Sequence, residues 1–316
     1  MQHPVYLDYN STTPLDNRVL DQMMPYLTEQ FGNASSIQHS FGWQADEAIK
    51  KARQQVADLI QASAEEIYFT SGATESVNLA VKGVFESYVS KGQHLICLST
   101  EHKAVLDTHE YLQKKGAVVT YLAVDAGGLL DLAEFEKAIR LDTVLVSIML
   151  ANNETGVIQP IKAIAEICSQ HNVLLFCDAS QAAGKIQIAV KDSGIPLLAL
   201  SAHKIYGSKG VGTLYISRKN PRVTVIPQVH GGGHESGKRS GTLNVPGIAG
   251  LGMAADIANR EMYAETKRLE LLRDRFENLL QNSVPNLKIN GNLEHRMTHV
   301  SNLMFPDVSA AELMNK

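Results

Sequence analysis

The chain has 316 residues, 44% of them hydrophobic and 20% charged, with a formal net charge of −4. That length buries a sizeable core and leaves room for about two domains, and the slightly acidic balance gives no reason to expect nucleic acid or an anionic membrane surface as the main partner. No apolar run is long enough to span a bilayer. The opening MQHPVYLDYNSTTP has neither a secretion signal nor an Arg-rich transit pattern. Cys97, Cys168 and Cys177 lack metal-ligand spacing and suggest no disulfide framework, so a reducing cytoplasm is the expected setting.

From about residue 66 to 216, short β-branched or apolar runs alternate with longer amphipathic stretches. The predicted strands are EIYFT (66–70), HLICLS (94–99), VVTYLAV (118–124), TVLVSIM (143–149), VLLFC (173–177), LLALS (197–201) and VGTLYIS (211–217). Helical patterns lie between them, among them SVNLAVKGVFESYV and PIKAIAEICSQH, the second opening with Pro160 where a helix tolerates proline. The alternation predicts an α/β fold, a mostly parallel sheet flanked by helices on both faces. Ligands of such sheets sit outside the carboxyl ends of the strands. The loops after residues 70, 100, 150, 177 and 201 are therefore expected around one site. The tail has another character: a charged helical stretch from roughly Pro246 to Gln281, then the strand-like LKIN and HVSNLMF. Ser309-Ala-Ala-Glu312 is a capping-box pattern that starts a helix, but only four residues follow it. A second, smaller α/β domain is expected, incomplete at its C-terminal side.

The chemistry-bearing residues stand at these strand ends. In LLALSAHKIYGSKGVG, an apolar strand runs into Ser201-Ala-His203-Lys204, followed by a glycine-rich turn. Partial desolvation there favours the lysine's neutral amine, the form that reacts with an aldehyde cofactor; a solvated loop lysine is the ordinary alternative. In VLLFCDASQAAGK, Asp178 follows five apolar residues. It needs a partner such as a protonated pyridine nitrogen, or else serves as a helix cap. In FTSGATESVNLA, Gly72-Ala73-Thr74 follows a strand and opens a helix, a geometry that suits a phosphate. The segment does not match the nucleotide P-loop. His102 in STEHKAV could stack on a flat ring or remain a hydrogen-bonded loop residue. Asn152, Asn153 and Glu154 in LANNETG suit either a ligand or a turn. In HGGGHESGKRSGT (230–242) the three glycines between the histidines argue against a helical metal site, so no metal is expected and the segment reads as a mobile loop near an anion.

Together these segments resemble the class V aminotransferase group of fold-type I pyridoxal-phosphate enzymes, and within it the NifS/IscS branch of the cysteine desulfurases. The resemblance runs through YLDYNSTTP, FGNASSIQHSFGWQA, FTSGATESVNLA, TEHKAVLDT, NNETGV, DASQAAGK, SAHKIYGSKGVG and HGGGHESGKRSGT, and so covers essentially the whole chain. HKIYG with KGVG, and HGGGHE with RSGT, look like this branch rather than the SufS branch.

The resemblance implies pyridoxal 5'-phosphate as cofactor and L-cysteine as substrate, with L-alanine as product. Sulfur would go to iron–sulfur cluster or thio-nucleoside assembly, through a scaffold or another acceptor protein. It implies that Lys204 carries the cofactor and moves the proton at the substrate Cα, and that Asp178 pairs with the pyridine nitrogen. His102 would stack on the ring, with Asn153 and Gln181 near its phenolic oxygen. Ala73, Thr74, Ser201 and His203 would hold the phosphate, completed by Thr242 of a neighbouring subunit in a homodimer. Asn33 would lie on the substrate side. Ser208 stands where the family has a proline.

The implied division is a large domain over 16–262 and a partial small domain from 1–15 with 263–316. The family's nucleophilic cysteine on a mobile loop, and the arginine that binds the substrate carboxylate, have no counterpart within the 316 residues. Cys97, Cys168 and Cys177 read as packing residues. A truncated desulfurase is the reading adopted. A pyridoxal-phosphate lyase (β-lyase or selenocysteine lyase type) and a non-catalytic dimerising scaffold are the alternatives.

Overall fold

The computed structural model describes residues 5–306 and 308–314. Two helices, α1 (Asn17–Thr28) and α2 (Ser40–Leu59), precede an alternating series. It comprises β1 (Ile67–Thr70), α3 (Ala73–Tyr88), β2 (His94–Leu98), α4 (Lys103–Gln113), β3 (Val118–Leu122), α5 (Leu132–Ala138) and β4 (Thr143–Met149), followed by α6 (Ile161–Gln170), β5 (Leu174–Asp178), β6 (Leu197–Ser201) and β7 (Gly212–Ile216). The tail contains α7 (Val245–Ser283), β8 (Lys288–Ile289), β9 (Leu303–Met304) and α8 (Ala310–Met314).

Seven strands form one sheet in the order β1-β7-β6-β5-β4-β2-β3. All neighbouring pairs are parallel except those made by β7, which runs antiparallel to both β6 and β1. Two reversals leave β1 pointing the same way as β6, so its carboxyl end joins the others. The apolar runs are continuous because both faces are covered. Ile96, Leu98, Leu175, Cys177, Leu198 and Leu200 enter one core, while their neighbours Leu95, Cys97, Leu174, Phe176, Leu197 and Ala199 enter the other. Alternate residues of a strand point to opposite faces, which divides each run in this way. Burial of each large aliphatic or aromatic side chain contributes about 1.5–3 kcal/mol.

Helix α2 presents Ala45, Ala48, Ile49, Ala52 and Val56 at helical spacing to the first core. The N-terminal half of α7 lies against it: a Cβ on Gly252 would stand 2.5 Å from Ala52 Cα, so only glycine permits this approach. The C-terminal half of α7 is largely exposed and charged. The predicted start of the last helix is present, with Glu312 N–H donating to Ser309 Oγ at 3.2 Å and Ser309 N–H to Glu312 Oε2 at 3.0 Å.

Candidate active site

A cavity of about 430 Å3 opens at the carboxyl ends of the parallel strands. It is lined by Ala73, Thr74, His102, Asn153, Asp178, Gln181, Ser201, His203 and Lys204, all singled out from the sequence. Asn33 and Thr242 do not line it. Asn33 Oδ1 accepts the Ser35 N–H at 2.9 Å in an exposed turn, and Thr242 is exposed at the end of the glycine-rich loop.

Lys204 follows β6 by one short turn. Its Nζ donates to the carbonyl of Asn10 and, at 2.9 Å, to that of Ser11. Burial lowers its pKa, against the opposing pull of Asp178 and Asp8. The N-terminal stretch is strapped over this corner. Gln181 Nε2 donates to the Asn10 carbonyl at 2.8 Å and Asn10 Nδ2 to the Asn153 carbonyl at 3.0 Å. Thr13 Oγ1 donates to the His203 carbonyl at 2.9 Å. Burial, with Lys204 and Lys209 nearby, also pushes His203 down.

Asp178 is the last residue of β5, and its Oδ1 accepts the Ser180 N–H at 2.9 Å. His102 caps α4, its Nδ1 accepting the Ala104 N–H at 3.1 Å. A neutral His102 ring therefore carries its proton on Nε2. Gly72 precedes α3 at φ 152°, a conformation that side chains disfavour, and leaves the first-turn N–H groups of Ala73 and Thr74 facing the cavity end.

Two carboxylates that no sequence motif marks hold that phosphate-type turn and the strand leading into it. Glu75 Oε2 accepts the Ser71 N–H at 2.8 Å, and Arg239 Nε donates to Glu75 Oε1 at 2.8 Å. Burial works to raise Glu75, but the hydrogen bonds from Arg239 and Ser71 outweigh it and hold the carboxyl below its ordinary range. Glu235 Oε2 accepts the Phe69 N–H at 2.8 Å, and its carboxylate pairs with both Arg53 Nη atoms at 2.9 and 2.6 Å. His234 Nε2 meets Ser35 Oγ at 2.9 Å. The 230–242 loop, read as mobile from its glycines, is thus tied down at His234, Glu235 and Arg239.

All three cysteines are buried and free. Burial raises each thiol: Cys168 to about 12, Cys177 well above its usual value with Asp178 and Glu101 adding to the effect, and Cys97 likewise with help from Glu101.

The family model for aminotransferase class-V matches residues 5–316. The chain belongs to that family. It is 53% identical over 314 residues to cysteine desulfurase IscS of Anaeromyxobacter sp. (strain Fw109-5), covering 99% of this chain and 78% of that protein. Cysteine desulfurase IscS of Methylococcus capsulatus (strain ATCC 33009 / NCIMB 11132 / Bath) is 52% identical over 314 residues, covering 99% and 77%. Among solved structures, a NifS-like protein superposes with a TM-score of 0.94 at 41% identity, covering 99% of this chain and 85% of that one. SspA in complex with cysteine superposes at 0.87 with 37% identity, covering 99% and 86%. Within class V the chain stands in the NifS/IscS branch of the cysteine desulfurases, as its motifs had suggested.

Proposed function

We propose that this chain catalyses the pyridoxal 5'-phosphate-dependent desulfuration of L-cysteine to L-alanine, the sulfur passing to a thiol for iron–sulfur cluster or thio-nucleoside assembly. The observation that carries the reading is the convergence of one desolvated amine, one strand-end carboxylate and one helix N-terminus in the cavity, in a chain whose relatives are named cysteine desulfurases. Net, L-cysteine and R–SH give L-alanine and R–S–SH.

The cavity fits the cofactor on its own geometry. Gln181 Oε1 is sealed from solvent with no partner, an acceptor available to a phenolic O–H. Ala73, Thr74, Ser201 and His203 offer donors to a phosphate, and Asp178 can pair with a protonated ring nitrogen. When bound, pyridoxal phosphate supplies an aldehyde that takes up amines and a ring that withdraws electrons. Lys204 supplies the attaching amine, and its lowered pKa enlarges the neutral fraction near neutral pH. The same Nζ then holds and returns the substrate Cα proton. Asp178 presents its carboxyl group at the end of β5, His102 walls the cavity from α4, and Asn153 with Gln181 orients the polar edge of the ligand.

Thr242 lies outside its own cavity and completes the phosphate site of a second copy, which makes the working unit a homodimer. Asn33 faces the substrate side, and the sulfur acceptors are a scaffold or other acceptor protein in the cytoplasm. Among the described residues no helix is long and apolar enough to cross a membrane.

The test is incubation with pyridoxal phosphate, L-cysteine and a small thiol, with alanine assayed beside the intact protein mass. Alanine whose release depends on the added thiol, with no sulfur added to Cys97, Cys168 or Cys177, is the expected result. Pyruvate in place of alanine would instead support the β-lyase reading. A persulfide that disappears when one of the three cysteines becomes serine would contradict their assignment to packing.

A further inference from the structure

Glu101 stands beside His102, and nothing above uses it. The residue is 5% exposed, its Oε1 accepts the Met149 N–H at 2.6 Å, and its Oε2 is sealed from solvent with no partner. Met149 pairs across the β4–β5 ladder with Asp178, so a second carboxyl stands one strand away from the first. The titratable groups facing Glu101 are Asp178 and Cys177 on β5 and Cys97 on β2, with His102 next to it at the start of α4. The two thiols are neutral, and no salt bridge to Glu101 occurs among the described residues.

A carboxylate sealed with a single N–H donor and no counter-charge is costly to ionise. Asp178 has the Ser180 N–H and opens onto the cavity, whereas Glu101 has one N–H and no opening. We infer that Glu101 is a positioning residue that works as a neutral carboxylic acid, fixing the Met149 end of β4 next to the strand end that carries Asp178. Burial first, and the Asp178 charge after it, push Glu101 well above the usual carboxyl range, in agreement with the geometry. The protonation stands on the apoprotein alone; its value to catalysis rests on the role proposed for Asp178.

A neutral acid has a close mimic. Gln at 101 presents a carbonyl to the Met149 N–H and an N–H where the acid has its O–H, so Glu101→Gln is nearly isosteric. Glu101→Ala leaves the Met149 N–H unpaired beside a void.

The experiment has two parts. Infrared difference spectra of apoprotein at pH 8, wild type minus Glu101→Gln, are expected to show the C=O band of a protonated carboxyl that the variant lacks. Pyridoxal-phosphate titrations are expected to give Glu101→Gln the wild-type affinity within about threefold and an unchanged pH midpoint for the bound cofactor's absorbance. Glu101→Ala is expected to lose about tenfold or more in that affinity. A carboxylate signature in place of the acid band would overturn the inference. So would a pH midpoint moved by about one unit in Glu101→Gln, the mark of a real charge removed beside Asp178. If Glu101→Ala does not fold, the Gln comparison decides alone. If the chain takes up no pyridoxal phosphate, the proposed function fails, while the infrared band still decides the state of Glu101.

Discussion

Glu235→Gln is the substitution that most directly tests how the cofactor-side turn is held. The Glu235 side chain is 1% exposed and that of Arg53 19%. Their contact is two-pronged, and the same carboxylate takes the Phe69 N–H. Gln keeps one acceptor but turns an NH2 toward a guanidinium that can only donate. Breaking a buried pair from one side costs about 3–5 kcal/mol. Arg53 retains partial exposure, the Ile67 carbonyl and a position 4.7 Å from the centre of the Phe69 ring, which brings the expected cost nearer 2 kcal/mol.

The damage should concentrate at the end of β1, two residues before the turn that opens α3. Amide exchange read residue by residue should show the Phe69 N–H opening about 30-fold more readily, the equivalent of about 2 kcal/mol. Pyridoxal-phosphate affinity should fall about tenfold, because the donors at Ala73 and Thr74 lose their fixed direction. Arg53→Met combined with Glu235→Gln should cost less than the two single changes added together. Unchanged Phe69 exchange in Glu235→Gln, or strict additivity in the cycle, would refute the reasoning.

Lys204→Ala should abolish borohydride trapping of the cofactor on the folded chain, checked by peptide mapping; trapping at the same level would remove Lys204 from its role. Asp178→Asn should slow exchange of the substrate Cα proton in deuterated water by about 100-fold or more while changing cofactor affinity far less, as expected for a charge that acts mainly on the developing carbanion. Lys185 Nζ is sealed without a partner, and burial, followed by Lys204, lowers its pKa to about 8. A lowered lysine is charged at a cost in the folded state below its folded pKa, and the cost disappears once the unfolded chain also deprotonates. Lys185→Met should therefore raise stability by about 3 kcal/mol below pH 8, by progressively less up to about pH 10.5, and not at all above it, measured by denaturant unfolding across pH.

Apart from the partly exposed edge strand β3, the strands were legible because each is a compact apolar run, buried on both faces and bounded by polar turns. The run at 143–149 coincides with β4 end to end, and that at 173–177 is displaced by one residue, which places Asp178 inside β5. The antiparallel direction of β7 was not legible, since a buried strand has the same composition whichever way it runs. Lys204, Asp178 and His102 could be found because each stands at, or within four residues of, the carboxyl end of such a run. Glu101 could not be told from any carboxylate beside a histidine: its meaning comes from Met149 and Asp178, which reach it only through the sheet. Glu75, Glu235 and Arg239 share that condition. Glu75 and Arg239 are 164 residues apart in sequence, and no local spacing announces the pair.

The strap of residues 10–13 over Lys204 has a consequence for the order in which the site comes into being. Its hydrogen bonds to the rest of the site join positions 143 to 194 apart in sequence. During synthesis, residues 10–13 emerge long before the segment they must cover, so the amine cannot be enclosed until almost the whole sheet exists. Before that docking, Lys204 is an ordinary water-exposed ammonium, strongly basic and slow to react with an aldehyde. The strap therefore makes the amine's reactivity contingent on completion of the fold, and an unfinished chain is shielded from capturing the cofactor in the wrong arrangement.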